Sequence, residues 1–267
     1  MRAFRLAYDG RPYSGFQRQP NVPTVEDALF DALRELDVLD GTDDAPSGYA
    51  AAGRTDAGVS ALSQTVAFEA PGWLTPAALN GTLPAPVRAW ASADVPADFH
   101  ATHDATRRIY RYHLYAPDCD DERVRTALEA LAGEHDFHNL TTDEAGTVRS
   151  LETGYVRDGD FLVLTFAAGG FVRHMVRRIV ALVQAVGSGA SGRDRIERVL
   201  GPEPLDGGAG VPTAPATPLV LAAVTYPDTE FDADPDAVVS AREVFEERRV
   251  EAQTAARVVG DLCRGIE

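Results

Sequence analysis

The sequence predicts an α+β fold: two similar α/β halves sharing a mainly antiparallel central sheet flanked by helices. Three observations lead there. Short, often alternating apolar runs are interleaved with stretches at helical spacing. The strand candidates are joined by turns and a hairpin rather than by a regular strand-helix-strand repeat. The second half, residues 99–228, follows the same kind of element order as residues 1–98, without a residue-level repeat. A chain of 267 residues that is 45% hydrophobic can bury a core of that size unaided.

The elements follow in order. "RAFRLAYDG" reads as a strand ending at the turn signal Asp9-Gly10, and a polar Pro/Gly-punctuated loop, "RPYSGFQRQPNVP", follows. "TVEDALFDALREL" is a helix with Thr24 as its cap, acids in the first turn, and Val25, Leu29, Leu33 and Leu36 at helical spacing. "YAAAGRTDAGVSALSQTVAFEA" holds two apolar runs either side of a loop at Asp56, and "TPAALNGTL" is a short helix with Thr75 as cap and Pro76 in the first turn. "VRAWASADVP" is a further strand.

In the second half, "TRRIYRYHLYA" alternates, with Tyr110, Tyr112 and Leu114 on one face and Ile109, Arg111, His113 and Tyr115 on the other. "DDERVRTALEALAG" is a helix, and "VRSLETGYVRDGDFLVLTFAA" is a hairpin turning on Asp158-Gly159. "GGFVRHMVRRIVALVQAVGSG" is a long helix over 169–189, with glycine near its end. A shorter helix, "GRDRIERVLG", leads into a Pro/Gly-rich segment, 201–218, and "LVLAAVTYP" closes the pattern as a strand. Residues 229–267 form an extension: an acidic linker, "DTEFDADPDA", and a charged helix.

Composition narrows the function classes. The formal net charge is −16, and all 25 basic residues are arginine. Dense acid keeps a protein soluble in concentrated salt, which screens its self-repulsion, so the expectation is a salt-adapted, halophilic protein. Such a charge disfavours nonspecific nucleic-acid binding but leaves room for a local basic cleft. Cys119 and Cys263 are far apart with no C-x-x-C neighbour, which supports neither a disulfide framework nor a zinc ribbon and suits a reducing cytoplasm. The start, "MRAFRLAYDG", has no leader pattern, and the most apolar long stretch carries three arginines and a histidine, so a soluble protein without membrane spans is expected.

Without lysine there is no phosphate-binding G-x-x-x-x-G-K-[ST] loop, and neither G-x-S-x-G nor a dinucleotide fingerprint occurs. His135 and His138 stand at i, i+3 with no third ligand nearby; they are read as capping or packing residues, and no metal is expected. There remains Asp56. An aspartate in a glycine-flanked connection commonly bonds nearby backbone N–H groups as a turn-former. Gly53 and Gly58, however, let backbone approach a ligand, and Arg54 can hold the loop or a phosphate. No second acid adjoins the loop as a glycosidase would need. One carboxylate without acid partner, metal or cofactor is left.

Here the residues resemble a family. "GRTDAGVSALSQ" is similar to the signature of the TruA-type tRNA pseudouridine synthases, close to G-R-T-D-x-G-V-H-A-x-G-Q. "YDGRPYSGFQRQ", "TVEDAL", "FHATHDATRRIYRYHLY", "HDF", "GGFVRHMVRRIVALVQAVGSG" and "LVLAAVTYP" match further blocks in the family's order, covering about residues 1–228. Ser60 and Ser63 depart from the pattern, standing where the family usually has histidine and glycine.

The resemblance implies an isomerase that converts uridine to pseudouridine in the anticodon arm of tRNA, at positions 38, 39 or 40. It implies a cleft between the halves, no cofactor, and a homodimer with the RNA running between subunits. Asp56 would be the catalytic group, as a nucleophile on ribose or base or as the base that takes the 2′ proton. Both routes need its carboxylate form, which a neighbouring guanidinium stabilises. Arg177 occupies the position of that guanidinium. Its own setting agrees: Arg173 and Arg177, and His174 and Arg178, place like charges at i, i+4 on one helix, at a cost of roughly 0.2–0.5 kcal/mol per pair that anions from elsewhere would relieve.

Tyr110 matches the family's active-site tyrosine, whose ring would stack on a flipped uracil, and Leu221 matches an apolar pocket residue. Arg11, Gln17, Arg18, Arg54, Arg107, Arg108 and Arg178 are candidates for gripping the RNA backbone, where bidentate arginine contacts would matter in high salt. A ribosyl hydrolase cleaving the same glycosidic bond and an inactive RNA-binding module are the alternatives.

Overall fold

The structure is a computed structural model that describes residues 1–205 and 210–266; residues 206–209 of the Pro/Gly-rich segment lie outside the described residues. It is an α+β fold around one ten-stranded sheet. The first half contributes β1 (Arg2–Tyr8), α1 (Val25–Glu35), β2 (Ala50–Ala51), β3 (Ser60–Phe68), α2 (Pro76–Asn80) and β4 (Val87–Asp94). The second contributes β5 (Arg107–Tyr115), α3 (Asp121–Leu131), β6 (Gly133–Asp136), a 3-10 turn at His138–Leu140, β7 (Val148–Asp158), β8 (Phe161–Ala168), α4 (Met175–Gly187) and α5 (Asp194–Leu200). β9 (Leu219–Thr225), β10 (Asp232–Ala233) and α6 (Pro235–Gly265) complete the chain.

The capping residues named from sequence act as such. Thr24 accepts from the N–H of Asp27 and Thr75 from that of Ala78. The apolar stripe of α1 is buried at Val25, Leu29 and Leu33. On β5, Tyr112 and Leu114 are buried and Arg111, His113 and Tyr115 exposed, as alternation requires.

Several boundaries differ from the sequence pattern. The helix expected over 169–189 starts at Met175, because His174 takes a left-handed conformation, φ 62°, that breaks the helical path. The hairpin loop falls on Gly159-Asp160, one residue later than expected, with Asp158 paired to Phe161. Part of the acidic stretch after 229 forms β10 against β4, and Asp234 caps α6 by accepting from Asp236 and Ala237. β6 and β10 have no apolar alternation to announce them; backbone pairing to β7 and β4 makes them strands.

The strand order is β10-β4-β1-β3-β9-β5-β8-β7-β6, with β2 on β3. All described pairings are antiparallel except that of β3 with β9, where Ser60 and Ala61 face Val220 and Leu221. β9, late in the chain, therefore joins the two halves: it lies parallel to β3 and antiparallel to β5, with Leu221 opposite Tyr110. Each half has its own buried cluster, and β9 supplies both, Leu221 and Val224 to one, Leu219 to the other.

Beside the seam, the chain after β1 crosses the turn before β3 at close range. A Cβ on Gly10 would lie 2.1 Å from the carbonyl oxygen of Val59, so only glycine fits without a backbone shift. Gly10→Ala should lower stability by about 1–3 kcal/mol in denaturant titration, whereas Gly72→Ala, with open space around its Cβ position, should leave the midpoint nearly unchanged. Equal midpoints for the two variants would contradict this packing.

Candidate active site

Asp56 sits on the turn between β2 and β3, and buried polar contacts fix that turn from both sides. The Tyr8 and Thr55 hydroxyls share a buried hydrogen bond of 2.7 Å. From β3, the Gln64 side-chain amide donates to the Gly53 carbonyl at 2.7 Å. The N–H of Val59 donates to the Asp56 carbonyl at 3.1 Å, closing a turn in which Gly58 takes φ 80°. Ser60, a departure from the family pattern, accepts from the N–H of Gly10 at 3.0 Å and so holds the crossing loop; Ser63 is buried in β3.

The partner of Asp56 comes from the first turn of α4. Arg177 places Nη1 2.9 Å from Asp56 Oδ2, with the arginine side chain 17% and the aspartate 28% exposed. The rest of the guanidinium is held by the segment before β9: Nε donates to the Ala214 carbonyl at 2.7 Å, and the Ala214 N–H returns a bond to the Arg177 carbonyl at 3.2 Å. Tyr112 secures that strap through a 3.0 Å bond to the Pro215 carbonyl. Arg177 is thereby aimed before any ligand arrives.

Sequence reasoning passed over His174. Its Nε2 lies 3.6 Å from the same Asp56 oxygen. Burial lowers its pKa, the charges of Arg173, Arg177 and Arg178 lower it further, and Asp56 pulls the other way; the net shift is downward, which keeps the imidazole neutral at neutral pH. A left-handed non-glycine residue of this kind carries about 1–3 kcal/mol of strain and is held only where its surroundings over-determine it. The i, i+4 charge crowding was a signal for it, but nothing in the sequence marks its backbone. The Ala214 strap was missed because its contacts are made by backbone. Arg177 and His174 both stand on Oδ2, and no described residue hydrogen-bonds Oδ1.

Tyr110 lies on β5 at the seam, its ring packed edge-on against Phe171 at 5.1 Å and 89°. Burial pushes its hydroxyl up to about 12, with Arg108 opposing and the Asp56 charge adding to the rise, so the phenol stays protonated near neutrality. Leu221, opposite it on β9, is fully buried.

The polar groups expected to grip RNA divide. Arg108 is a correction: it is buried, and its guanidinium is spent on the carbonyls of Ala52, Thr102 and Gly169. Arg11 is bound to Asp9, Arg18 to Asp27 and the Asp44 carbonyl, Arg107 to Glu152, and Arg178 to the Thr141 carbonyl. Arg54 and Gln17 are exposed, as is Arg173, a side chain not included among the RNA-gripping candidates. His135 bonds the Ala132 carbonyl at 2.9 Å and His138 lies 3.4 Å from Asp136. Among the described residues no group of three or more His, Cys, Asp or Glu side chains could hold a metal ion. Among them, too, no helix is long and apolar enough to cross a membrane.

A family model described as tRNA pseudouridine synthase matches residues 127–227. Over 275 residues the chain is 56% identical to the tRNA pseudouridine synthase A of Haloarcula marismortui, covering 100% of both chains. It is 57% identical over 264 residues to that of Halobacterium salinarum, covering 98% of each, and 38% identical over 266 residues to that of Methanosarcina acetivorans, covering 97% of each. A crystal structure of a Cbf5-Nop10-Gar1 complex overlaps 69% of the chain and 45% of its own at 12% identity and a TM-score of 0.37, too slight a likeness to bear on function. With full-length identity of this order to proteins so named, the chain belongs to the tRNA pseudouridine synthase A family.

Proposed function

We propose that this protein isomerises uridine to pseudouridine in the anticodon arm of tRNA, at position 38, 39 or 40, with Asp56 as its essential group. The observation that carries the reading is the 2.9 Å pair between Asp56 and Arg177, set at the junction of the two halves beside Tyr110 and Leu221. Pseudouridine formation breaks the bond from uracil N1 to ribose C1′ and makes the bond from C5 to C1′. The C5 proton leaves and N1 gains one, so the change is an isomerisation without net oxidation or hydrolysis, and it needs no cofactor.

The arrangement suits that chemistry. Arg177 steadies the negative charge through Oδ2 and leaves Oδ1 to act, either as a nucleophile or as the base at the 2′ position. The Tyr110 ring offers a face for the extruded uracil, a stacking contact worth about 1–3 kcal/mol, and Leu221 supports it from β9. Arg54, Gln17 and Arg173 are the exposed groups left to meet the RNA backbone. Arg11, Arg18 and Arg178 join them from positions anchored by their own bonds within the protein. The acidic, all-arginine composition, with relatives in halophilic archaea, supports work in concentrated salt. A cytoplasmic homodimer with RNA between its subunits completes the reading, and sedimentation of the protein with and without tRNA tests that assembly.

Incubation with unmodified tRNA followed by base-resolved mapping should give pseudouridine in the anticodon arm. Free uracil would point to a hydrolase, and unchanged tRNA to a binding module. Asp56→Asn should abolish turnover while tRNA affinity stays within about twofold; full activity in this variant would remove Asp56 from the chemistry. Arg177→Lys should lose roughly 10²-fold in kcat, because one ammonium cannot replace a fork that spans Asp56 and the Ala214 carbonyl. Wild-type kcat in that variant would show that the fork is dispensable. In about 1 M potassium chloride, where screening acts over roughly 3 Å, tRNA binding should persist; its loss with the fold intact would end the salt-adapted reading.

A further inference from the structure

Asp9, the residue after β1, has its side chain 8% exposed, and two guanidinium groups share it. Arg11 reaches it through Nε, 2.9 Å from Oδ1, and Nη2, 2.7 Å from Oδ2. Arg248, 239 positions away on α6, places Nη1 2.8 Å from Oδ2. Burial works against the ionised carboxyl, but the hydrogen bonds and charge of Arg11, with the charge of Arg248, outweigh it and hold Asp9 below the ordinary carboxylate range. Glu251, one turn beyond Arg248, adds its field to Arg11. Arg11 is itself 53% exposed and Arg248 28%, so the more shielded half of this clamp comes from the helix.

The chain that leaves Asp9 wraps the Asp56 turn. Gly10 donates its N–H to Ser60 Oγ at 3.0 Å, Phe16 donates to the Thr55 carbonyl at 3.0 Å, and Gly58 donates to the Tyr13 carbonyl at 3.2 Å. Residues on both sides of Asp56 thus hang on the loop that Asp9 begins. α6 is meanwhile docked without Arg248: Asp234 accepts from the Ala77 N–H and donates its own to the Trp90 carbonyl, and Ala237 and Ala241 are buried. The contact is therefore separable from the helix that carries it.

We propose that Arg248 is a positioning residue for the isomerisation: by clamping Asp9 from α6 it sets loop 10–16, and through that loop the direction of the Asp56 carboxylate. This rests on the proposed function. A carboxylate displaced by about 1 Å can lose on the order of 100-fold in rate without any change in what binds it. The C-terminal helix, outside both halves of the fold, in this way acts on the reacting group.

The test uses the full chain with Arg248→Gln, Arg248→Lys, Asp9→Asn and the Arg248→Gln/Asp9→Asn double variant. Arg248→Gln should lower kcat for pseudouridine formation by about tenfold or more, with the KM for tRNA and the melting temperature nearly unchanged. Arg248→Lys, which keeps a cation, should recover part of the loss. The double variant should be little worse than Asp9→Asn alone, which already loses the Arg248 contact together with that of Arg11. Unchanged kcat, a rise in KM alone, or additive losses would each overturn the proposal.

Hydrogen exchange in peptides spanning 10–16 and 55–60 gives a reading that needs no activity. It should quicken in Arg248→Gln, and unaltered exchange there would equally defeat the clamp. If the wild type left every uridine unchanged, the functional reading would fail while the exchange data still decided whether Arg248 restrains the turn.

Discussion

The contact between Arg177 and Asp56 brings together charges 121 positions apart at a place only partly open to water. Ions taken from water lose solvation that their attraction repays only with good geometry and further hydrogen bonds. The surroundings supply both. Arg177 is aimed by the Ala214 carbonyl, Ala214 is held by the strap that Tyr112 secures, and Asp56 rides on a turn pinned through Thr55, Gln64 and Ser60. These supports come from β3, from β5 and from the segment before β9, so parts distant in the chain meet α4 at one carboxylate.

Arginine has a second use in this chain beyond charge. Arg88 and Arg108 are buried and donate to several main-chain carbonyls each, Leu83, Pro84 and Val87 for the one and Ala52, Thr102 and Gly169 for the other. Arg88 does so through Nη1 alone, whereas Arg108 spreads Nε, Nη1 and Nη2 over its acceptors, a span that a compact ammonium cannot cover. The all-arginine composition read from sequence as adaptation to salt is therefore also a set of internal ties. That is why Arg108, which looked like a phosphate ligand beside Tyr110, is consumed within the fold.

Much of this was legible in the sequence where a pattern is local. Thr24 and Thr75 announce their caps, the period of β5 sorts its faces, and the motif blocks pick out Asp56 and Arg177, which the fold brings into contact. What escaped depends on backbone geometry or on distant pairing. His174 looks like any helical residue until its left-handed φ turns the ring to Asp56. Ala214 has no side-chain chemistry to read, and the parallel pairing of β3 with β9 joins strands separated by more than half the chain. Arg248 sits in a stretch with no family block to lend it meaning, and its importance arises only from where α6 crosses Asp9.

The late position of β9 has a consequence for biosynthesis. While the nascent chain is still short of Thr225, β3 and β5 lack the strand that lies between them in the finished sheet, and both present open edges. Ala61 cannot meet Leu221 until nearly all of the sheet has left the ribosome, and closing so large a loop is slow. A truncated or stalled product would thus carry Asp56 without its assembled surroundings. The pair between Asp56 and Arg177 is completed late, and until then the unpaired edges of β3 and β5 are open to wrong partners.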